Sequence, residues 1–324
     1  MPMRLPIFPL LSVILLGLNS AAQADIELKQ ENNRISVIRN GKLVTQYRSD
    51  THVPCLYPVI GPTGTKLTRN FPLKDGFKNE ERDHPHHVSL WYTHGKVNGL
   101  DFWTTEHDPD CKIKHLGFEK SNTTSKNVNG VSTDTASFTV NLAWNQKDKT
   151  LLKETRTYSF LITDDALNIE VSSSINAPEE DVTFGNTKEG SFAIRLTPSL
   201  RLKGKVAKGH ILNSEGDKDE KAWGKRASWV AYEGPDSEGN DVTVVMFDHP
   251  KNLRFPTWWH ARDYGLLAAN PFGQHAFEGT KDVHDNDFLL KKGSDFTQNY
   301  RILFQKGTMS AEEITESFTD FSKE

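Results

Sequence analysis

Apolar and polar residues alternate with a period of two in many segments of this 324-residue chain. Successive side chains of an extended strand point to opposite faces, so such alternation places one face of each strand against a core. The clearest runs cover residues 138–144, 158–162, 167–171, 192–196, 242–246 and 300–304. The pattern predicts an all-β fold, and we expect a large twisted antiparallel β-sandwich.

Local signals near the two ends of the chain predict a hairpin and a helix. Residues 34–38 and 43–47 flank Asn40-Gly41, a pair that suits the type I′ turn of a β-hairpin. Ser310-Ala311-Glu312-Glu313 has the form of a helix capping box. Apolar residues then recur on one helical face, at Ile314, Phe318 and Phe321. We therefore expect one C-terminal helix in a chain that is otherwise poor in helices.

Residues 1–24 have the composition of a secretory signal peptide. Arg4 precedes an apolar run over residues 7–18, and Ala22-Gln23-Ala24 matches the small-x-small pattern at which such peptides are cleaved. A membrane anchor is the alternative, although the run is shorter than the roughly 20 residues that a helical span needs. We predict that residues 25–324 form a single β-sandwich domain, without a membrane span, in the periplasm or outside the cell.

The charge balance and the two cysteines narrow the surroundings of the protein. The net charge of −4 becomes −5 once Arg4 is removed with the signal segment. A mildly acidic chain of mixed charge argues against nucleic acid as a partner. Export permits a disulfide between Cys55 and Cys111, two buried free thiols are the alternative, and the sequence leaves both open.

Residues 83–103, which we call the histidine segment, hold the densest concentration of reactive side chains. Four of the 12 histidines lie in it, namely His84, His86, His87 and His94. Imidazole titrates near neutral pH and is the commonest metal ligand. In an extended chain His84, His86 and His94 share a face, so we predict them as ligands of one divalent ion and His87 as an acid–base group, unless Pro85 breaks the register. Histidines bonded to backbone carbonyls are the alternative.

Aromatic and polar residues follow in the same segment. Asn98 and Asp101 offer hydrogen-bonding groups for hydroxyls, and the indoles of Trp91 and Trp103 offer flat faces on which a pyranose ring can stack. We predict these four residues as substrate-binding groups of a sugar site. The alternative is a β-turn at Asn98-Gly99 with tryptophans in the core.

Two further stretches carry candidate residues. Glu189, just before the run at 192–196, is a candidate general base, and Arg195 points away from the apolar side chains of that run. Residues 256–275 contain Trp259, His260, Arg262, Asp263, Asn270 and His275. We predict Glu189, His260 and Asp263 as catalytic and the remainder, with Arg195, as substrate-binding. Arg262 can clamp a carboxylate or pair with Asp263 to hold the loop. Solvated turns and a tryptophan-rich core strand are the alternatives.

Several catalytic signatures are absent from the sequence. It contains no Gly-x-Ser-x-Gly motif, no dinucleotide-binding glycine motif, no phosphate-binding loop and no His-Glu-x-x-His. We therefore expect no nucleotide cofactor and no mechanism that uses a nucleophilic serine or cysteine.

Several motifs recur together along nearly all of the predicted mature chain. They are Pro58-Val59-Ile60-Gly61-Pro62, Asp83-His84-Pro85-His86-His87, Leu90-Trp91, His94-Gly95, Val97-Asn98-Gly99, Asp101-Phe102-Trp103, Lys188-Glu189-Gly190, Trp259-His260, Arg262-Asp263-Tyr264-Gly265 and Asn270-Pro271-Phe272-Gly273. Together they resemble a bacterial family labelled methane oxygenase PmoA-like, many members of which have Arg where this chain has Val88. The β-rich pattern also resembles the galactose-mutarotase-like supersandwich, whose members bind or cleave sugars. The resemblance implies a sugar-related role on a concave sheet face.

Three functional hypotheses follow. The first is an exported carbohydrate-active enzyme, a glycoside hydrolase or a lyase, with a histidine-rich acid–base site that a divalent ion assists. The second is a non-catalytic periplasmic carbohydrate-binding protein, in which tryptophans converge and histidines scatter. The third is the copper oxygenase that the family label implies, which a metal analysis of the purified protein tests. In each case we expect a small-molecule or oligosaccharide ligand.

Overall fold

The computed structural model of this chain is built almost entirely from β-strands, as the alternating sequence predicts. It describes residues 26–104, 108–128 and 131–323, so the signal peptide predicted for residues 1–24 lies outside the described residues. In chain order the elements are β1 (Ile26–Glu31), β2 (Arg34–Arg39), β3 (Lys42–Arg48), β4 (Cys55–Val59), β5 (Leu90–His94), β6 (Cys111–Val128), β7 (Val131–Gln146), β8 (Lys149–Ile162), β9 (Ala166–Asn176), β10 (Val182–Phe184), β11 (Gly190–Arg195), β12 (His210–Asn213), β13 (Trp229–Pro235), β14 (Asp241–Asp248), β15 (Trp258–Trp259), β16 (Leu266–Asn270), α1 (Gln274–Glu278), β17 (Phe288–Leu290), β18 (Asp295–Lys306) and α2 (Ala311–Phe321). Two short 3-10 helices span Pro198–Leu200 and Asp219–Ala222.

Two large antiparallel sheets make up the body of the described chain. The first sheet has the strand order β1-β2-β3-β4-β5-β11-β16-β15, and the second has the order β12-β13-β14-β18-β9-β8-β7-β6. Strands β10 and β17 form a separate pair. The predicted all-β antiparallel sandwich is confirmed.

Aromatic residues from both sheets meet in the core. Phe192 of β11 stacks on Tyr300 of β18 with ring centroids 5.0 Å apart, and Tyr92 of β5 meets Trp144 of β7 edge-on at 6.3 Å. Strand β9 alternates between buried and half-buried residues because only one of its faces meets this core. Strands β5 and β11 are buried throughout, because loops cover the face of the first sheet that points away from the second. We call that covered face the outer face of the first sheet.

Both local predictions are confirmed. Strands β2 and β3 pair through Asn40-Gly41, whose φ angles of 53° and 72° are typical of a type I′ turn. The Ser310 hydroxyl accepts a hydrogen bond from the Glu313 N–H at 3.2 Å, and the Ser310 N–H donates to Glu313 Oε2 at 2.8 Å. Helix α2 packs on the second sheet through its buried residues. The short helix α1 is an element that the sequence patterns did not predict.

Both cysteines of the chain are buried free thiols, which is the second of the two alternatives left open by the sequence. Burial raises the pKa of Cys55 to about 12 and that of Cys111 to about 11, so both are protonated at neutral pH. None of the helices in the described part of the chain has the length and hydropathy of a membrane span.

Candidate functional site

A cluster of imidazole and indole rings covers the outer face of the first sheet above β5 and β11. The ring of His87 lies between those of His84 and Trp91, with centroids 4.8 Å and 5.4 Å away. His86 meets His87 edge-on at 4.6 Å, and Trp103 does so at 5.9 Å. We call His84, His86 and His87 the histidine cluster. The two tryptophans contact each other at 5.2 Å and form a shared aromatic wall beside it. Both are buried, with Trp91 1% and Trp103 0% exposed, which agrees with the alternative that places these tryptophans in the core.

A tight turn, and not an extended strand, brings the three imidazoles together. His84 and Ser89 both have positive φ angles, of 44° and 68°. The His87 N–H donates to the His84 carbonyl at 3.1 Å and closes the turn. Period-two parity therefore fails over this stretch, and His87 joins His84 and His86 on one side instead of facing away from them.

Asp83 connects the cluster to two buried arginines. Arg195 Nη2 donates to both carboxylate oxygens at 3.0 Å, Arg69 Nη1 donates to one of them, and His84 Nδ1 lies 2.7 Å from the other. Burial alone would raise the pKa of Asp83, but His84, Arg195 and Arg69 hold it well below its usual range. Asp83 is thus a fixed anion. Sequence reasoning missed it, although a carboxylate directly before His-Pro-His-His was a visible signal.

Arg195 also determines which nitrogen of His87 carries the proton. Arg195 Nη1 lies 2.9 Å from His87 Nδ1. A guanidinium can only donate, so Nδ1 is the acceptor and the neutral ring carries its proton on Nε2. Burial, followed by the charge of Arg195, lowers the pKa of His87 well below 6.5. Arg195, predicted as substrate-binding, thus bonds to residues of the site itself and positions His87.

Glu189 reaches the same face from the turn that precedes β11. A Cβ added to Gly95 would lie 2.8 Å from the Glu189 Cβ and 3.5 Å from the Trp103 Cβ, so the close approach of these residues requires glycine. Within the described chain the Glu189 carboxylate has no hydrogen-bond donor, and its ion partner Lys188 lies 3.9 Å away. Burial raises the pKa of Glu189, and the nearby positive charges of Lys188 and Arg262 only partly oppose that rise.

The hairpin between β15 and β16 adds three residues to this face. The ring of Tyr264 stacks on His84 at 5.0 Å, and the guanidinium of Arg262 lies 5.3 Å from the same ring. His260 Nδ1 lies 3.1 Å from the Lys188 carbonyl, next to Glu189. Burial, followed by the charge of Arg262, lowers the pKa of His260 to about 3. The structure therefore brings His260 and Arg262 to the face that carries the histidine cluster, together with Tyr264, which the sequence reasoning did not select.

The three predicted metal ligands are not assembled at one point. His94 shares the parity of Tyr92 on β5 and faces the core, with Nε2 2.9 Å from the Gly185 carbonyl and its ring 4.8 Å from Phe272. His84 and His86 lie on the outer face. Across residues 26–104, 108–128 and 131–323, no three His, Cys, Asp or Glu side chains are placed to hold one metal ion. Neither the predicted divalent ion nor the copper that the family label implies has a fitting ligand set among these residues.

Trp259 and Asp263 lie apart from the cluster. Trp259 pairs with Ala269 on the face of β16 that meets the core, and its indole N–H donates to the Ala227 carbonyl at 2.8 Å. Alternation along β15 thus sends Trp259 inward and His260 outward. Asp263 forms an ion pair with Lys203 at 3.0 Å instead of orienting His260. The predicted stacking role of Trp259 and the catalytic role of Asp263 do not fit these positions.

Asn98 and Asp101 hold turns, and among the described residues no hydrogen bond joins either side chain to an imidazole of the cluster. Asn98 is exposed, and its side-chain oxygen accepts from the Thr183 N–H at 2.7 Å. The predicted turn at Asn98-Gly99 is confirmed by φ angles of 51° and 79°. Asp101 accepts from the N–H groups of Trp103 and Thr104 at 2.7 Å and 3.0 Å. Its carboxylate therefore fixes the position of Trp103.

Asn270 and His275 support the turn that carries Glu189. Asn270 Nδ2 donates to the Thr187 carbonyl at 2.8 Å. The His275 N–H donates to the side-chain oxygen of Asn186 at 3.1 Å. Both residues were predicted to bind substrate. In the structure each instead donates a hydrogen bond to the loop that carries Glu189.

Buried polar atoms without a protein partner are concentrated on this face. The described residues offer no hydrogen-bond partner to the indole nitrogens of Trp91 and Trp103, to His86 Nδ1 or to Arg195 Nε. Leaving such a group unsatisfied costs about 1–3 kcal/mol, so buried polar atoms are normally paired. The indole and guanidinium nitrogens can only donate. These donors have almost no accessible surface, so a ligand rich in oxygen acceptors reaches them only where neighbouring side chains move aside.

A groove is lined by residues that are close in sequence to the two arginines that bind Asp83. Asn70, the residue after Arg69, and Thr197, two residues after Arg195, both line a groove of about 750 Å³. This volume lies within the range of small-molecule sites. Phe77, which is one-third exposed, lines the same groove and offers an apolar ring surface.

The chain belongs to a family of unknown function, DUF6807, whose model matches residues 34–319. No curated protein matches it significantly. The description of the family names no activity, so the PmoA-like resemblance stays a prediction.

Three solved structures are similar to the chain along most of its length. A protein of Escherichia coli K12, provisionally assigned as an aldose 1-epimerase, is 11% identical, with 87% of this chain and 99% of that chain covered and a TM-score of 0.30. Slr1438 of Synechocystis sp. PCC 6803 is 11% identical, with 88% and 96% covered and a TM-score of 0.33. A galactose mutarotase related enzyme of Lactobacillus acidophilus is 12% identical, with 88% and 98% covered and a TM-score of 0.26. At such TM-scores, any assignment of chemistry has to rest on the side chains of the site.

Proposed function

We propose that this member of the DUF6807 family is an exported carbohydrate-active enzyme, a glycoside hydrolase or a lyase, with Glu189 as its proton-transfer group. One observation carries the proposal. A carboxyl group whose pKa is raised by burial, and to which no described residue donates a hydrogen bond, stands beside a tryptophan wall whose indole N–H groups have no protein acceptor. Acid–base catalysis requires the first feature, and recognition of a hydroxyl-rich ring suits the second.

Two carboxyl groups on this face have their pKa values shifted in opposite directions. The pKa of Asp83 is held low by His84 and two arginines, whereas burial raises that of Glu189. Such a divergence separates a permanent anion from a group that holds its proton more readily than an ordinary carboxyl. Asp83 therefore positions His84 and Arg195, and Glu189 transfers the proton.

Either reaction gives Glu189 a defined role. In hydrolysis, Glu189 gives its proton to the glycosidic oxygen as the C–O bond breaks and recovers a proton from the attacking water. In elimination, the Glu189 carboxylate takes the proton from a carbon next to a carbonyl group, and the C–O bond at the adjacent carbon breaks to leave a double bond. His87 offers its Nε2 proton to a substrate oxygen, because Arg195 occupies its Nδ1.

The test is turnover by Glu189→Gln on a panel of neutral and acidic oligosaccharides. We expect a loss of about 10²- to 10⁴-fold, the usual contribution of a proton-transfer group, with sugar binding within threefold of that of the unmodified protein. New reducing ends report hydrolysis, and ultraviolet absorbance of an unsaturated sugar reports elimination. Glu316→Gln, which removes an exposed carboxylate from α2, is the matched control.

Two outcomes would contradict the proposal. Unchanged turnover in Glu189→Gln would remove Glu189 from the chemistry. Tight binding of oligosaccharides by the unmodified protein with no turnover of any of them would make it a binding protein, the second hypothesis drawn from the sequence.

The location is tested separately. We expect the full chain, expressed in a Gram-negative host, to be recovered from the periplasm with Asp25 as its first residue. An uncleaved chain in the cytoplasmic fraction would contradict export.

A further inference from the structure

Arg262 is a cation at the edge of the histidine cluster that has no acidic partner within residues 26–104, 108–128 and 131–323. Its guanidinium carbon lies 5.3 Å from the ring of Tyr264 and 6.0 Å from that of Trp223. It forms no ion pair with a described residue, and its buried Nε has no hydrogen-bond partner among them. Contact with aromatic faces holds a guanidinium in place while leaving its N–H groups free to donate.

The acidic residue next to Arg262 in the chain is engaged elsewhere. Asp263 pairs with Lys203 at 3.0 Å, so the alternative in which Arg262 and Asp263 pair to hold the loop is not the arrangement that forms. The other arginines around the cluster each contact a carboxylate, although Arg69 and Arg195 share the single negative charge of Asp83. Arg69 and Arg195 bond to Asp83, and Arg201 bonds to Glu81 at 3.0 Å.

A second unpartnered donor lies beside this guanidinium. The indole nitrogen of Trp223 is buried and, within the described chain, has no hydrogen-bond partner. The Trp223 ring also contacts His260 at 6.4 Å, which places it on the side of the site where Glu189 lies. Lys188 contributes another positive charge 3.9 Å from the Glu189 carboxylate. The surroundings of Glu189 thus contain two cations and an indole donor.

We propose that the sugar unit bound beside Glu189 is a uronic acid, whose carboxylate accepts hydrogen bonds from Arg262 and Trp223. This inference rests on the proposed function and narrows its substrate class. A carboxylate has two oxygens for these donors, and the charge-assisted bonds to a guanidinium are stronger than bonds between neutral groups. A neutral sugar, with a hydroxymethyl group at the same position, would leave the Arg262 charge without a counter-ion.

The experiment measures binding of four monosaccharides to the mature chain by isothermal titration calorimetry. D-glucuronate and D-galacturonate are compared with D-glucose and D-galactose. We expect each uronate to bind about 10- to 100-fold more tightly than its neutral counterpart. Arg262→Met should reduce this preference to within about twofold, and Arg262→Lys, which keeps the charge but not the planar fork, should fall between.

Arg226→Met is the matched control. Arg226 also lies over an aromatic ring, that of Trp258 at 4.6 Å, but at the other end of the β15 hairpin. The Arg226→Met variant should bind uronates with the same preference over neutral sugars as the unmodified protein. Circular dichroism and melting of each variant establish that it is folded before its binding is compared.

Three results would overturn the inference. They are equal binding of uronates and neutral sugars, a uronate preference that survives Arg262→Met, and binding of acetate as tight as that of a uronate, which would mean a bare anion site. Glu189→Gln separates this inference from the proposed function. Uronate preference with normal turnover in Glu189→Gln defeats only the catalytic role, whereas loss of turnover without uronate preference defeats only the substrate class.

Discussion

Two buried arginine networks in this protein differ in how completely their charges and hydrogen-bond donors are paired. In the inner network, between the sheets, Glu154 accepts from Arg156 at 2.6 Å and 2.9 Å, from Ser173 at 2.6 Å and from the Trp144 indole at 2.7 Å. The Glu154 and Arg156 side chains are both 0% exposed. Among the described residues, every donor of this network has a partner.

The outer network, formed by Asp83, Arg69, Arg195 and the histidine cluster, is incomplete by comparison. Asp83 is 31% exposed, and the Nε atoms of both arginines lack a partner within the described chain. The inner network pairs one buried cation with one buried anion, whereas the outer network gives two buried arginines a single carboxylate. The inner network closes on itself and can only support the fold. The outer network has donors without a partner among the described residues, on arginines that contact His84 and His87 of the histidine cluster.

The comparison predicts the largest stability effect at Glu154. Glu154→Ala should lower the free energy of unfolding by about 3–5 kcal/mol, because it leaves the charge of Arg156 buried without a partner. Urea denaturation at pH 7 measures the effect. The double variant Glu154→Met with Arg156→Met should recover most of the loss, since it removes both charges. A loss below about 1 kcal/mol in Glu154→Ala would show that the inner network is not structural.

Lowering the pH should reduce the stability of the folded chain through the histidines of the outer network. Burial lowers the pKa of His86 to about 4, from an ordinary value of 6.5. The folded state therefore binds fewer protons than the unfolded state between these values, so stability is present above pH 6.5 and lost as the pH falls towards 4. We expect His86 to contribute a loss of roughly 1.4 kcal/mol per pH unit in that window.

The measurement compares unfolding free energies of the unmodified chain and His86→Gln between pH 7 and pH 4.5. The difference between the two isolates His86 from other titrating groups, among them Asp248, whose pKa burial raises to about 7 and whose contribution has the opposite sign. Parallel pH profiles would mean that His86 is as solvated in the folded chain as in the unfolded one.

The smallest expected effects come from a matched pair of tryptophan substitutions, one in each network, which compares the two networks most directly. Trp144→Phe removes a donor to Glu154 and should cost about 1–3 kcal/mol of stability while leaving sugar binding unchanged. Trp91→Phe removes an indole N–H that has no protein acceptor, so it should cost less stability and weaken sugar binding by about 3- to 10-fold. Denaturation and calorimetric titration measure the two effects. Equal stability losses with unchanged sugar binding in both variants would remove the distinction between the networks.

The sequence shows which residue types make up much of the site, but it does not show where those residues lie in the fold. Four histidines, two aspartates and two tryptophans lie within residues 83–103. The structure gathers three of these imidazoles, Asp83 and both tryptophans on one face. The extended parity assumed for His84, His86 and His94 was wrong, because positive φ angles at His84 and Ser89 interrupt the strand. Arg69 lies 14 residues before Asp83 in the chain, and no local pattern connects the two.

Side-chain chemistry alone also misassigned residues that build turns. Asp101 has the composition expected of a sugar ligand, yet its carboxylate is used by the N–H groups of Trp103 and Thr104. Short polar side chains bond readily to nearby backbone, and sequence reasoning does not tell whether a given carboxylate is used in that way. The predicted stacking role of Trp259 failed for a different reason. Alternation along β15 turns Trp259 towards the core and His260 towards the outer face.

By itself the sequence determined the period-two alternation, the hairpin turn, the capped C-terminal helix and the concentration of imidazole and indole groups, because these depend on residues close together in the chain. Only the tertiary structure decided which face each strand shows to the core, which carboxylates are already used by backbone N–H groups, and which arginines are neutralised. Those outcomes depend on partners as far apart as Asp83 and Arg195, and contacts across 112 residues are made by the pairing of strands and not by local preference.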